Sequence, residues 1–121
     1  MKLKTIKQLK VKADKLVQEI GRKIYPRCLV CGKDTTEMHH YIPKSRSNIL
    51  RYNFKNLIPL CHSCHFKYHH GDPYIGIIIL KTKGFDWADD LNKRRNIFVK
   101  ANKKWYLKQI EFLEKLKEGI K

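Results

Sequence analysis

A chain of 121 residues with 27 Lys and Arg against 11 Asp and Glu carries a formal net charge of +16. That excess points to a polyanion such as nucleic acid, and only secondarily to an anionic membrane surface. The length fits one domain spanning 1–121, and no apolar run approaches the ~20 residues that cross a membrane.

The N-terminus, M-K-L-K-T-I-K-Q-L-K, interleaves lysines with apolar residues and lacks the apolar stretch of a secretory signal. A cytoplasmic, reducing setting is therefore expected, where disulfides rarely persist and paired cysteines read as metal ligands. Within residues 1–26, Ile6, Leu9, Ala13, Leu16, Val17, Ile20 and Ile24 recur at steps of three and four. This spacing predicts an amphipathic helix from Thr5 to Ile24, frayed or kinked at Gly21 and ended by Pro26. Residues 27–71 read as a short, polar core. Gly32 and Asp34 mark a turn, Glu37 to Ile42 a first strand, and Leu57 to Leu60 a second. Between the strands, Pro43 to Lys55 forms a basic loop. A short helix is expected from an N-cap at Ser63 to His70, with Gly71 as its stop.

Residues 72–121 read as helical. Asp72-Pro73 resembles a cap with a first-turn proline, and Gly84 closes the run Y-I-G-I-I-I-L-K-T-K. Its isoleucines favour a strand and its flanks favour a helix; the helix is the reading adopted. Asp86 is expected to cap a further short helix through Trp87, Ala88 and Leu91 toward Arg94. From Lys100 to Lys117, Trp105, Phe112, Leu113 and Leu116 form an apolar stripe widened by Tyr106 and Ile110. Packing on the core is the first use of such a stripe, and a homodimer through the terminal helices is the second.

All four cysteines fall in Cys28-x-x-Cys31 and Cys61-x-x-Cys64. A structural zinc favours four thiolates in a tetrahedron, and each two-residue spacing turns a pair of sulfurs toward one ion. If sulfur holds that Zn²⁺, the histidines need another use. His39 and His40 are adjacent on a strand and point to opposite faces, while His65 and His69 share one face of a helix. The economical arrangement joins His39 to His65 and His69 around a divalent cation and leaves His40 as a neutral base near pH 7.

The order His39-His40, then Asn56 in N-L-I-P-L-C, then C-H-S-C-H with His69 four residues on, resembles the HNH endonucleases of the ββα-metal fold, in the variety held by a four-cysteine zinc. The resemblance covers Cys28 to His70. It implies an α+β, mainly helical chain: a ββα-metal core stapled by zinc and flanked by N-terminal and C-terminal amphipathic helices. It places a metal ligand at His39, the general base at His40, the central asparagine at Asn56 and the last motif histidine at His65. His69 matches a second helix histidine found in some members. The implied reaction is metal-dependent hydrolysis of DNA, with Mg²⁺, Mn²⁺, Ni²⁺ or Zn²⁺ at the histidines, leaving 5′-phosphate and 3′-hydroxyl ends. Asn56 would tie the loop between the strands. Lys44, Arg46, Arg51 and Lys67 flank this site and are the candidate phosphate contacts. A fainter likeness extends to the NinG/Rap recombination proteins of lambdoid phages, which act on branched DNA; they carry Gly-His where this chain has His39-His40.

Two other readings compete. A non-catalytic, zinc-stapled nucleic-acid module accounts for the cysteines and the charge, but leaves the histidines without a role. A ribonuclease or RNA-binding protein is allowed by Tyr41, Tyr52, Phe54 and Phe66, which can stack on exposed bases. Cleavage of DNA, of RNA or of neither separates the three.

Overall fold

The apolar face read between Thr5 and Ile24 forms one helix, α1 (Ile6–Ile24), in the computed structural model, which describes residues 4–120. Met1, Lys2 and Leu3 of the lysine-interleaved N-terminus, and Lys121, lie outside the described residues. Thr5 and Gln8 cap α1 reciprocally: each backbone N–H donates to the other's side chain, satisfying two donors that the first turn leaves without partners. The helix runs unbroken through Gly21 to Ile24. Gly21 is buried, and a Cβ there would overlap the Met38 side chain. The glycine lets a strand approach the helix, a tertiary requirement that local propensity does not reveal.

That strand is β1 (Glu37–His40), paired antiparallel with β2 (Leu57–Leu60). β1 was expected to reach Ile42. It stops at His40 because its next partner on the other chain segment, Asn56, lies in a 3-10 turn: the Tyr41 amide still reaches the Asn56 carbonyl, and the Ile42 amide donates to the Asn56 side chain. Met38 faces Pro59 across the pair. Both backbone groups of Met38 turn outward to the Gln18 side-chain amide, at 2.8 and 2.9 Å, and the Pro59 carbonyl turns outward to the Leu29 amide at 2.9 Å. Met38 and Pro59 are thus a non-hydrogen-bonded pair, where a proline costs the ladder nothing.

The segment between the strands is more ordered than a loop. A 3-10 turn (Lys44–Arg46), a one-turn helix α2 (Asn48–Arg51) capped by Ser47, and a second 3-10 turn (Phe54–Asn56) fill it. Helix α3 (His62–His69) follows β2, then α4 (Pro73–Lys83), α5 (Phe85–Arg94) and α6 (Lys103–Gly119). The isoleucine-rich run is therefore a helix, with Asp72 as its cap. Two other expected caps fall elsewhere. Cys61, not Ser63, caps α3, and Gly84 precedes α5, so that Asp86 lies in its first turn.

Alternation along the strands divides the interior. Met38 and Leu57 face one side, where they meet Leu9, Ala13, Val17 and Ile20 of α1 and Tyr106, Ile110 and Leu113 of α6. Ile58 and Leu60 face the other, packed with the cysteines and with Ile75 and Ile79 of α4. The stripes of the two terminal helices, which left room for a second copy, close on each other within the chain, tied at the flank by Lys117–Glu19 at 2.7 Å and Lys12–Glu114 at 3.2 Å. Phe112, placed on the stripe from the sequence, is 60 % exposed. The buried face follows Tyr106, Ile110 and Leu113, and Phe112 falls off it by a quarter turn or so. Among the described residues no helix is long and apolar enough to cross a membrane.

Candidate active site

The first cysteine pair sits on a turn that Gly32 closes at φ +77°, a left-handed conformation that favours glycine. The Gly32 amide donates to the Cys28 carbonyl and the Leu29 amide to the Pro59 carbonyl, which holds the turn against β2. The second pair begins α3. All four sulfurs lie within 4.8 Å of one another. Cys31 Sγ and Cys61 Sγ are 3.5 Å apart, near the ~3.8 Å edge of a tetrahedron whose Zn–S bonds are about 2.3 Å. Cys61 Sγ also accepts the Cys64 amide at 3.4 Å, so one sulfur both caps the helix and points into the cluster. Burial raises the Cys61 thiol, but the Cys64 amide and the neighbouring sulfurs outweigh it and bring the thiol down to about 7. Burial and the same sulfurs push Cys64 up. Thiols this crowded cannot all ionise unless a cation joins them, which is what the donor set fits.

On the face of β1 that Ile58 shares with the cysteines, His39 meets α3. Ligand nitrogens of His39, His65 and His69 lie within 4.8 Å of one another, and Nε2 of His65 and Nε2 of His69 are 2.8 Å apart. Glu37 Oε2 lies 3.2 Å from His65 Nδ1. A carboxylate only accepts, so Nδ1 carries the proton and Nε2 keeps its lone pair for a ligand. His39 Nε2 is buried with no hydrogen-bond partner. Burial, with His65 and His69 close by, lowers His39 to about 3; its ring is neutral at pH 7. A buried ring nitrogen without a partner, facing two other imidazoles, fits a divalent cation.

His40 takes the opposite direction. Its Nε2 lies 2.9 Å from the Arg51 carbonyl, which can only accept; the proton is on Nε2 and Nδ1 keeps a lone pair. Burial is the main reason its pKa is lowered, against the opposing effect of that hydrogen bond. Asn56 is fully buried: its Oδ1 accepts from the Ile42 amide at 2.8 Å, and its Nδ2 donates to the Ile42 and Leu50 carbonyls at 3.0 and 3.2 Å. It joins the end of β1 to the segment that presents the Arg51 carbonyl. His39, His40, His65 and His69 all open onto one cleft of about 210 Å³, shared with Gln18, Glu37 and Lys44.

A family model described as HNH endonuclease matches residues 28–71. The likeness belongs to this segment, a little over a third of the chain. No curated protein and no solved structure matches the chain. The matched segment contains the cysteine and histidine clusters, His40 and Asn56, and the family it resembles is one of nucleases, which act on nucleic acid.

The basic residues proposed around the HNH site separate in space. Lys44 lines the cleft, while Arg46 lines a neighbouring groove. Lys67 is exposed on α3. Arg51 differs from expectation. Its guanidinium is held by both oxygens of Asp14 at 2.9 and 2.7 Å, and its side chain is only 15 % exposed. An arginine gripped in this bidentate way is not free for phosphate.

Sequence reasoning missed the residues that α1 sends into the HNH segment. Gln18 occupies the free edge of β1 between Glu37 and His39, and Asp14 holds Arg51. One signal was present: Asp14 and Gln18 lie four apart, on one face of a helix whose polar positions are otherwise mostly basic. Glu37 was missed as well, because an acidic residue at the start of a strand looks like ordinary surface.

Proposed function

We propose that the chain is a metal-dependent DNA endonuclease of the HNH type, with its four cysteines holding a structural Zn²⁺. The observation that carries this reading is that a base and a metal-ligand set open onto the same cleft: His40 with Nδ1 unprotonated, and His39, His65 and His69 with converging nitrogens. A divalent cation on His39, His65 and His69 would supply charge neutralisation at the phosphate and at the leaving 3′ oxygen.

The chain's own groups do the rest. His40 Nδ1 takes a proton from a water in the cleft as that water's oxygen attacks phosphorus, and the bond from phosphorus to the 3′ oxygen breaks in line. Donation of Nε2–H to the Arg51 carbonyl stabilises the imidazolium that forms, and keeps the ring in the required tautomer. Asn56 fixes that carbonyl by bonding the neighbouring Leu50, and Asp14 fixes Arg51 itself. Lys44, on the cleft wall, balances charge on a phosphate oxygen.

The test gives zinc-loaded protein supercoiled plasmid and single-stranded RNA, with Mg²⁺, Mn²⁺, Ni²⁺ or Zn²⁺ and with a chelator. Cation-dependent nicking of DNA is expected, abolished in His40→Ala while DNA binding is retained. Binding without cleavage under every cation would make the chain a binding module, and cleavage of RNA alone would make it a ribonuclease.

A further inference from the structure

Outside the HNH segment, Lys93 to Lys104 reads K-R-R-N-I-F-V-K-A-N-K-K and contains no carboxylate. Its ends belong to α5 and α6, and Ile97 to Asn102 cross between them without regular structure. In the middle of this strap, Phe98 is 87 % exposed and Ile97 53 %. One exposed aromatic alone would need no explanation. This one borders a groove of about 360 Å³ between the strap and the turn after β1, lined by Arg46, Asn48, Arg95, Asn96 and Phe98 and by no acidic side chain. Among the described residues no carboxylate pairs with Arg46 or Arg95.

The groove adjoins the cleft. Lys44, on the cleft wall, and Arg46, on the groove wall, share one 3-10 turn. A polyanionic strand leaving the cleft over Lys44 meets Arg46 next, and then Arg95 and Phe98 on the facing wall.

We propose that this groove holds the DNA flanking the scissile phosphate, with Arg46 and Arg95 on its phosphates and Phe98 stacked on an unpaired base. A base inside a continuous duplex already has neighbours on both faces, whereas a base in a flap, gap or branch has a face to offer. The groove therefore selects DNA whose flank is single-stranded. This inference rests on the cleft acting on DNA.

Binding separates the two ideas because it needs no cleavage. Zinc-loaded protein without added cation is titrated, by fluorescence anisotropy, into a labelled continuous duplex and into the same duplex carrying a single-stranded flap. Wild type should prefer the flap. Phe98→Ala should weaken flap binding roughly tenfold and leave the duplex within about twofold, and Phe98→Trp should restore it. Arg46→Ala or Arg95→Ala should weaken both DNAs and lower the salt-dependence slope by about one. Equal losses on both DNAs in Phe98→Ala, or no loss, would overturn the inference even if the protein cuts DNA. The expected pattern in a protein that cuts nothing would keep the groove as a single-strand binding surface and discard both the nuclease and the groove's place beside a scissile phosphate. Failure to bind either DNA would discard both.

Discussion

Replacing Asn56 with alanine tests the connection between buried structure and the base. The side chain is fully buried and makes three hydrogen bonds: one from the Ile42 amide, and one each to the Ile42 and Leu50 carbonyls. Alanine leaves the Ile42 N–H and C=O buried without partners, at about 1–3 kcal/mol each, so about 6 kcal/mol is the upper limit, while the Leu50 carbonyl keeps the Asn53 amide. A water entering the vacated space can meet two or three polar groups at once, which reduces the expected loss to about 3 kcal/mol, a large share of the 5–15 kcal/mol by which a domain is stable. Urea unfolding of wild type and Asn56→Ala at one fixed free zinc concentration measures it, since bound metal otherwise shifts the two curves unequally. The second readout is plasmid nicking at a temperature where the variant is still folded. The Leu50 carbonyl adjoins Arg51, whose own carbonyl holds His40, so activity should fall by at least tenfold in the folded population. A variant within 1 kcal/mol of wild type with unchanged nicking would refute this account of Asn56.

Other substitutions separate the two metal clusters from the packing. Glu37→Gln keeps shape but weakens the group that fixes the His65 tautomer; outer-shell losses run to 10–100-fold in metal affinity. Because Glu37 is half exposed, about tenfold is expected by calorimetry with Mn²⁺, while zinc in the cysteine cluster stays bound. Unchanged Mn²⁺ affinity would remove Glu37 from the site. Cys28→Ser should release zinc to a metallochromic dye and abolish the circular dichroism of the central segment, because the metal's binding energy contributes to folding there; a folded, zinc-loaded variant would contradict the structural role. Gly21→Ala puts a methyl group where Met38 lies, an overpacking expected to cost about 1–3 kcal/mol. Trimming the obstacle in Gly21→Ala/Met38→Ala should give a smaller loss than the two single changes added together, and strict additivity would mean that helix and strand do not meet there.

Much of the site is readable from spacing because its ligands come in local pairs. Two residues between cysteines and three between His65 and His69 are distances that a turn and a helix set by themselves. Strand alternation likewise separates His39 from His40 before any fold is known. Local reasoning failed where another element intervened. Gly21 looked like a helix fault because the residue it accommodates, Met38, is 17 positions away. Ser63 and Asp86 are good caps by type, but a sulfur turned toward the cysteine cluster and a glycine in an unusual backbone conformation took those positions. Phe112 was placed on the wrong side of α6 because aromatic size alone says nothing about which neighbour a helix faces.

The chain's own sequence determined which side chains make up the two candidate metal-ligand sets, because thiolates and imidazoles have few other uses at those intervals. Only the tertiary structure decided how His40 is held. Asp14 and Gln18 act on Arg51 and on β1 from 37 and 20 positions away, through hydrogen bonds that exist only once α1 packs across the two strands. Such contacts leave no periodic trace, since each depends on two surfaces meeting and not on the spacing within either one.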